Sequence, residues 1–287
     1  MFTLDGKSIA AQIRSDIKTY IDGLKDNPGA SIPGLGTILV GDDPASKSYV
    51  AAKHRDCSEV GINSLRIDLP ATASDGEIGE AIASLNSDAR CTGFLLQLPL
   101  PGNQNHHRFL EAIDPKKDCD GLHPVNLGNL VSGVVAPRPC TPLGIIRLLR
   151  AYKIELSGAR VVIVGRGVTV GRPLALMMSD REVNATVSVV HTGTKNPQEI
   201  IKSADIVIAA AGRKWMITKE MISAGATVVD VGLTRDGSKL VGDVHPDVSH
   251  LAGALSPVPG GVGPMTRAML LENIIRSHRG EFEGAPK

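Results

Sequence analysis

The stretch ARVVIVGRGVTVGRPLALMM (159–178) passes from a run of Val and Ile into a glycine-rich turn and then into a helical pattern. Such a run is typical of a strand buried on both faces, and the glycines after it let the backbone approach phosphate groups. The N-terminus of the following helix adds unpaired N–H groups and the positive end of its dipole. The spacing Gly165-x-Gly167-x-x-x-Gly171 is one residue longer than the commonest dinucleotide fingerprint. An ordinary tight turn with glycines for packing is therefore the alternative.

Three further runs rich in Val, Ile and Ala follow at 185–191, 204–212 and 225–232. Segments of twelve or more residues with helical or loop character separate them. Continuous apolar strands that alternate with such segments are typical of βα units. The second half of the chain therefore predicts an α/β fold with a doubly wound parallel sheet of Rossmann type.

The first half predicts a second α/β domain. Apolar spacing predicts helices over 8–22 and 46–60, and the capping box Ser74-x-x-Glu77 predicts a third helix. Short apolar runs bounded by Gly and Pro predict strands at 34–41 and 93–101. The polar segment 113–126 has no periodicity and predicts a long loop, and loops of this kind are usually functional.

A length of 287 residues indicates about two domains. Thr141-Pro142 predicts an N-cap and the first turn of a connecting helix that ends near residue 152. A final amphipathic helix is expected from 265 to about 276, after the stiff loop 257–264. These signals predict one domain of residues 1–139 with 265–287 and another of residues 140–264.

Composition narrows the function classes. The formal net charge is +1 and aromatic residues make up 3%, which argues against a nucleic-acid partner. No run of roughly 18 apolar residues predicts a membrane span, and the N-terminus lacks a signal-peptide pattern. The spacing of the four cysteines fits no zinc signature, and no His cluster predicts a metal. We therefore expect a cytoplasmic protein with thiols and no metal.

The end of the second β-rich run of the Rossmann-type half bears on the coenzyme. An Asp or Glu there usually binds the ribose 2′-hydroxyl of NAD. This chain has HTGTK (191–195) instead, without an acid. Thr192, Lys195 and nearby Arg166 would suit a 2′-phosphate, so NADP is the expected coenzyme. The alternative is that Thr192 and Lys195 belong to a solvated loop.

The first half contains polar residues in unusual places. Tyr49 and Lys53 are four residues apart and share a helix face beside apolar residues. Gln97 is a lone amide in an apolar run, and Asp118 and Asp120 flank a cysteine in the long loop. Each has a simpler interpretation. Lys53 would extend its charged end to water, Gln97 would be a core amide with its hydrogen bonds satisfied, and Asp118 and Asp120 would be surface charges.

Taken together, the segments resemble one family, the bifunctional methylenetetrahydrofolate dehydrogenase/methenyltetrahydrofolate cyclohydrolases. The resemblance extends over nearly the whole chain. The motifs that carry it are PASKSYV (44–50) with Lys53, Cys57 and VGI (60–62), QLPLP (97–101), DCDGL (118–122), PCTPLG (139–144), GR (165–166) with VGRP (170–173), and PVPGGVGPMT (257–266). The last motif and the Tyr-x-x-x-Lys segment are the most specific.

The resemblance implies NADP-dependent oxidation of 5,10-methylenetetrahydrofolate to the methenyl cation, then hydrolysis to 10-formyltetrahydrofolate, with both steps in one cleft between the two domains. It implies that Lys53 is the central catalytic residue, that Tyr49 stacks near the folate, that Gln97 tunes the lysine and that Asp120 anchors the pterin. The implied folate-binding residues are Tyr49, Gln97, Leu98, Asp120, Pro259, Gly260, Gly261 and Gly263. The implied coenzyme-binding residues are Gly165, Arg166, Gly167, Thr192 and Leu233. A homodimer through the coenzyme domain is also implied.

The chain departs from the family pattern at three positions. Gly167 and Thr192 stand where many members have serine, and Arg55 stands where a second lysine is common. These departures bear on coenzyme preference and on the ratio of the two activities. The alternatives are a dehydrogenase without cyclohydrolase activity, a Rossmann-type oxidoreductase with another small substrate, and a non-catalytic nucleotide-binding module.

Overall fold

A computed structural model of the chain describes residues 1–102, 106–237 and 239–282. The strands are β1 (Phe2–Thr3), β2 (Gly34–Val40), β3 (Asn63–Leu69), β4 (Gly93–Leu96), β5 (Arg160–Val164), β6 (Thr186–Val190), β7 (Ile206–Ala209), β8 (Thr227–Asp230), β9 (Thr234–Asp236), β10 (Lys239–Val241) and β11 (Ala254–Leu255). The helices are α1 (Gly6–Lys25), α2 (Pro44–Val60), α3 (Asp75–Ser87), α4 (His106–Ala112), α5 (Pro124–Val131), α6 (Cys140–Ala151), α7 (Gly171–Ser179), α8 (Pro197–Lys202) and α9 (Val262–His278).

The chain divides into two compact units. The six-strand unit consists of Met1–Ala11 and Pro139–Met269, and the three-strand unit consists of Gln12–Arg138 and the chain from residue 270 onward. The division differs from the expected domain borders at the N-terminus, because β1 pairs in parallel with β11 and so belongs to the larger sheet. A strand of two residues is too short to leave a pattern in the sequence.

The six-strand unit contains a parallel sheet with the order β1-β11-β8-β7-β5-β6. Its central strands β7 and β8 are buried along their whole length, as expected for Val- and Ile-rich strands covered on both faces. β5 has β6 on one side and β7 on the other, so the strand order reverses at β5. The expected doubly wound parallel sheet is confirmed. Such sheets bind ligands beside the reversal, at the carboxyl ends of the strands.

The three-strand unit contains the parallel sheet β3-β2-β4. β2 is the central strand and is fully buried. β3 was not expected from the sequence, because as an edge strand it alternates exposed polar residues with half-buried apolar ones. A single parallel bridge between Phe94 and Asp118 extends the order beyond β4. The segment around Asp118 therefore runs beside β4 in the same direction.

Several expected element borders are wrong by a few residues. α2 begins at Pro44, two residues before Ser46, because Asp43 caps it by accepting the Ser46 N–H at 2.7 Å. The expected cap at Thr141 is wrong, because α6 follows Pro139 without a side-chain cap and the Thr141 hydroxyl instead lies 3.1 Å from that of Thr266. β4 ends before Gln97, α5 begins within the expected long loop, and α9 begins at Val262 within the expected stiff loop.

Two of the expected helix signals are confirmed. The capping box of α3 is complete, with the Ser74 side chain accepting the Glu77 N–H and the Glu77 side chain accepting the Ser74 N–H. Gly61 ends α2 in the left-handed conformation, with φ of 83°.

Candidate active site

Lys53 lies on α2 with its side chain turned inward. It is 5% exposed, and its Nζ donates a hydrogen bond to Gln97 Oε1 at 3.0 Å. The same Nζ lies 5.0 Å from the centre of the Tyr49 ring, one helical turn earlier, within the range of a cation–π contact. The interpretation in which Lys53 extends to water is therefore wrong.

Gln97 follows the last residue of β4 and has a defined orientation. Its Nε2 donates to the Leu98 carbonyl at 2.7 Å, and its backbone N–H donates to the Ile38 carbonyl at 2.9 Å. An amide that donates to a carbonyl on one side must present its oxygen on the other. The oxygen therefore faces Lys53 and accepts its hydrogen bond.

Asp118 is buried, and its carboxylate holds together the loop in which it lies. It is 2% exposed and accepts hydrogen bonds from the Gly121 N–H, the His123 N–H and the Asn126 side chain at 2.8–3.1 Å. Burial raises the pKa of Asp118, and these hydrogen bonds oppose that rise. The interpretation of Asp118 as a surface charge is wrong. The turn that Asp118 closes carries the half-buried Asp120.

Cys119 links the loop to the lysine. Burial raises the pKa of its thiol well above the usual value, the charges of Asp120 and Asp118 raise it further, and the charge of Lys53 lowers it. The thiol is therefore within range of the charges of both Asp120 and Lys53.

The smaller sheet explains why these residues meet. α2 follows β2, Gln97 follows β4, and Asp120 follows the segment that runs parallel to β4. In a parallel sheet the segments that leave the carboxyl ends of neighbouring strands start at the same edge. Lys53 contacts Tyr49 and Gln97 there, and Asp120 follows the neighbouring segment; we call Tyr49, Lys53, Gln97 and Asp120 the lysine cluster.

The six-strand unit holds the glycine turn predicted after β5. Gly165 has φ of 120°, and a Cβ on it would lie 2.2 Å from the Ala210 carbonyl oxygen. A Cβ on Gly171 would lie 2.1 Å from the Gly165 carbonyl oxygen, whereas a Cβ on Gly167 would meet nothing within 4 Å. Packing alone therefore requires Gly165 and Gly171 but does not account for Gly167. Bare, exposed backbone at Gly167 is what a phosphate-binding turn needs.

The turn after β6 lies beside the glycine turn, since β5 and β6 are neighbouring parallel strands. Its backbone is shaped by Thr194, whose hydroxyl accepts the His191 N–H at 2.9 Å. Thr192 and Lys195 are exposed, as is Arg166. No carboxylate stands between 191 and 195, so these residues present hydroxyl and cationic groups.

Leu98 lies next to Gln97 in the three-strand unit, and the remaining residues implied for the folate and nicotinamide sites lie in the six-strand unit. Gly260 has φ of 118°, and its carbonyl accepts the Lys7 N–H at 3.1 Å. A Cβ on Gly261 would lie 2.8 Å from the Pro257 carbonyl oxygen, so this bend is closely packed. Pro259 is exposed, Gly263 lies in the first turn of α9, and Leu233 is exposed beyond β8.

Two buried acids of the six-strand unit, Asp230 and Asp243, were not anticipated. Burial raises the pKa of Asp230 to about 7 and that of Asp243 above its usual value, and backbone hydrogen bonds oppose both rises. The sequence signal was present, because each acid is flanked by valine and glycine in VVDVG (228–232) and VGDV (241–244). An acid inside an apolar segment is unexpected unless it is hydrogen-bonded.

No helix among the described residues has the length and apolar content that a membrane crossing requires. Within residues 1–102, 106–237 and 239–282, no group of three His, Cys, Asp or Glu side chains is arranged to hold a metal ion. A surface cavity of about 630 Å³ lies along β3 and the end of α3, and none of the lysine cluster lines it.

Known proteins match the chain over nearly its whole length. The catalytic domain of the tetrahydrofolate dehydrogenase/cyclohydrolase family matches residues 4–120, and the family's NAD(P)-binding domain matches residues 139–282.

Solved structures agree with these matches. The bifunctional methylenetetrahydrofolate dehydrogenase/cyclohydrolase of Campylobacter jejuni is 44% identical, with a TM-score of 0.93 over 98% of this chain and 99% of that chain. The Trypanosoma brucei enzyme, solved with NADP and an inhibitor, is 35% identical, with a TM-score of 0.92 over 99% of each chain. A silkworm methylenetetrahydrofolate dehydrogenase is 36% identical, with a TM-score of 0.91 over 99% of this chain and all of that chain. The chain belongs to the tetrahydrofolate dehydrogenase/cyclohydrolase family.

Proposed function

We propose that the lysine cluster serves both reactions of this family, the NADP-dependent oxidation of 5,10-methylenetetrahydrofolate and the hydrolysis of the methenyl product to 10-formyltetrahydrofolate. The observation that carries the proposal is the buried Lys53 side chain, whose Nζ donates to Gln97 Oε1 at 3.0 Å and lies 5.0 Å from the centre of the Tyr49 ring. A lysine buried against an aromatic ring and oriented by an amide is poised for chemistry on a flat, electron-poor substrate.

The two steps make different demands on the protein. Hydride transfer depends mostly on holding the folate carbon close to the acceptor, and NADP supplies that acceptor when it is bound. Hydrolysis needs a group that moves protons between the attacking water and the departing nitrogen. In this proposal the neutral Lys53 amine takes a proton from the attacking water, and the ammonium so formed returns it to the departing nitrogen. Tyr49 contributes a flat face for the folate, and Gln97 keeps the Lys53 amine at one position.

Asp120 is proposed to anchor the pterin. One carboxylate can accept two parallel N–H bonds from an aminopyrimidine edge. Support comes from the turn itself, since Asp118 and Asn126 make its internal hydrogen bonds and the Asp120 side chain is not needed to close it. Leu98 and the bend at Pro259, Gly260, Gly261 and Gly263 are proposed as further folate contacts.

Replacing Asp120 with alanine is expected to raise KM for both folate substrates at least ~10-fold, with a smaller fall in kcat, because a bidentate charged hydrogen bond is lost. Initial rates of oxidation and hydrolysis against folate concentration measure this. Asp114→Ala is the matched control, since Asp114 is an exposed acid of the same loop that accepts only a local N–H bond from Lys116. Equal loss of both rates with unchanged folate affinity would contradict the anchoring role.

The coenzyme is proposed to be NADP, held by the glycine turn at Gly165 and Gly167, by Arg166 and Thr192 at the 2′-phosphate, and by Leu233 near the nicotinamide. The residues fit this group, because the bare backbone at Gly167 is left unexplained by packing and the neighbouring turn exposes hydroxyls and cations without an acid.

We expect a lower KM for NADP than for NAD. We also expect Arg166→Ala to raise KM for NADP ~10-fold or more while changing KM for NAD little, because Arg pairs with phosphate and not with a hydroxyl. Steady-state kinetics with both coenzymes measures the difference. Arg160→Ala, at the opposite end of β5 and paired with Asp205 at 2.8 Å, is the control. A preference for NAD, or equal effects on the two coenzymes, would refute this assignment.

We assign coenzyme binding to the six-strand unit and the lysine cluster to the three-strand unit. We propose a homodimer formed through the coenzyme unit. The edge strand β6, in which Ser188 and Val189 are exposed, supports this proposal, and sedimentation equilibrium tests it.

We also propose a cytoplasmic location, which the absence of disulfides among the four buried cysteines supports. The net charge of +1 supports a protein without a nucleic-acid partner.

A further inference from the structure

Asp243 binds three consecutive backbone N–H groups. It is 0% exposed, its Oδ2 accepts the N–H of Ala211 at 2.7 Å and of Gly212 at 2.9 Å, and its Oδ1 accepts that of Arg213 at 2.7 Å. These three residues form the loop that leaves the carboxyl end of β7. One buried carboxylate therefore dictates the conformation of that loop.

The loop after β7 faces the glycine turn. β7 and β5 are neighbours at the point where the strand order reverses, where doubly wound sheets bind their ligands. The Ala210 carbonyl oxygen lies 2.2 Å from where a Cβ on Gly165 would stand. The glycine turn and the loop 210–213 therefore line the two sides of one crevice, and the glycine turn packs against the loop at Gly165 and Ala210.

A second buried acid supports the first. Asp230, at the end of β8, accepts the Asp243 N–H at 2.8 Å and the Val244 N–H at 3.2 Å. Two glycines make room for this arrangement. A Cβ on Gly232 would lie 2.0 Å from Asp243 Oδ1, and a Cβ on Gly242 would lie 1.8 Å from Asp230 Oδ2. Glycine at these two positions therefore lets the backbone pack directly against both carboxylates.

We infer that Asp243 is a positioning residue for the coenzyme, because its carboxylate holds the loop 210–213 in the shape that lines the crevice opposite the glycine turn. The inference rests on the proposed assignment of NADP to this crevice. Asp243 itself is buried behind the loop and acts through the backbone of Ala211, Gly212 and Arg213. Its contribution is to coenzyme affinity and not to the folate site.

The test is Asp243→Asn, which keeps the volume but places an amide N–H against one of the N–H groups that the carboxylate accepts. We expect KM for NADP to rise at least ~10-fold, since one charged hydrogen bond is worth about that factor or more. The hydrolysis of the methenyl substrate involves no redox step, so its rate and the folate KM should change less than twofold. Asp205→Asn is the control, because Asp205 is an exposed acid of the same unit that pairs with Arg160 at the opposite end of the sheet.

A spectroscopic readout is built into the loop. Trp215 is the single tryptophan of the chain, lies two residues beyond Arg213, and donates its backbone N–H to the Gly242 carbonyl at 3.2 Å. It is 38% exposed and has φ of 56°, a conformation that a bulky residue keeps only when its surroundings enforce it. Asp243→Asn should therefore shift tryptophan emission and increase quenching by iodide in the enzyme without coenzyme.

A higher KM for NADP in Asp243→Asn, with unchanged hydrolysis and altered fluorescence, supports the inference. Unchanged KM for NADP, or parallel loss of both activities with a lower melting temperature, overturns it in favour of a purely structural acid. If Asp243→Asn does not fold, Asp230→Asn loosens the same support, and we expect a rise of about threefold in KM for NADP. If instead the unmodified enzyme does not use NADP, the proposed function fails and not the positioning role alone.

Discussion

Replacing Lys53 with methionine is expected to abolish cyclohydrolase activity, with a fall in kcat of about 10²–10⁴-fold, the usual contribution of a positioned proton-transfer group. The methionine side chain has nearly the same length and fits a site that is 5% exposed, so the fold should be kept. Loss of the methenyl absorbance with time measures hydrolysis directly. The spontaneous rate without enzyme sets the floor.

The control for Lys53 is Lys47→Met, on the same helix. Lys47 is exposed and pairs with Asp42 at 2.5 Å, so its loss removes a positive charge from α2 without changing the interior. Exposed pairs of this kind contribute about 0–1 kcal/mol to stability. Turnover that survived in the Lys53 variant would mean that the active site lies elsewhere. Equal loss in both variants would point to the charge of the helix and not to Lys53.

Replacing Gly165 with alanine is expected to lower the free energy of unfolding by about 3–5 kcal/mol and to remove dehydrogenase activity. Two independent costs add at this position. The backbone has φ of 120°, which L residues rarely adopt, and the new Cβ would lie 2.2 Å from the Ala210 carbonyl oxygen. Relief requires β5 or the loop after β7 to move, and either movement deforms the crevice between them.

Thermal unfolding and coenzyme kinetics test the Gly165 prediction, with an expected fall in melting temperature of about 10 °C. Gly167→Ala is the matched control for stability. Its Cβ would meet nothing within 4 Å and its φ is not in the left-handed region. We expect its melting temperature to stay within about 2 °C of the unmodified protein. Similar destabilisation in both variants would show that the close approach of Ala210 to Gly165 does not constrain the turn.

The fold could be predicted where local pattern and tertiary burial coincide. The strands at 159–165 and 204–212 were identified because strands covered on both faces need apolar residues at every position. β3 could not be predicted because an edge strand mixes polar and apolar residues. β1 and β11 could not be predicted because each has only two residues. The start of α2 was misplaced because its cap, Asp43, precedes Pro44 and not Ser46.

The candidate site could be predicted as a set of residues but not as an arrangement. Motif spacing pointed to Lys53, Gln97 and Asp120, yet the local pattern of each also suited a simpler interpretation. Asp118 looked like a surface charge because its neighbours in sequence are polar, whereas its hydrogen-bond partners come from the turn and helix that follow it. Asp243 was missed because its partners lie about thirty positions away, in the loop after β7.

The order of residues by itself determined the parallel sheet, the glycine turn and the family, because these depend on short segments whose apolar periodicity and side-chain chemistry are local. Only the tertiary structure decided that Lys53 is kept from water, that the Ala210 carbonyl crowds Gly165, and that Asp243 holds the opposite wall of the crevice. Each of these depends on contacts between segments that are distant along the chain, such as the 44 positions between Lys53 and Gln97. Periodicity within one segment carries no information about which atoms another segment brings to meet it.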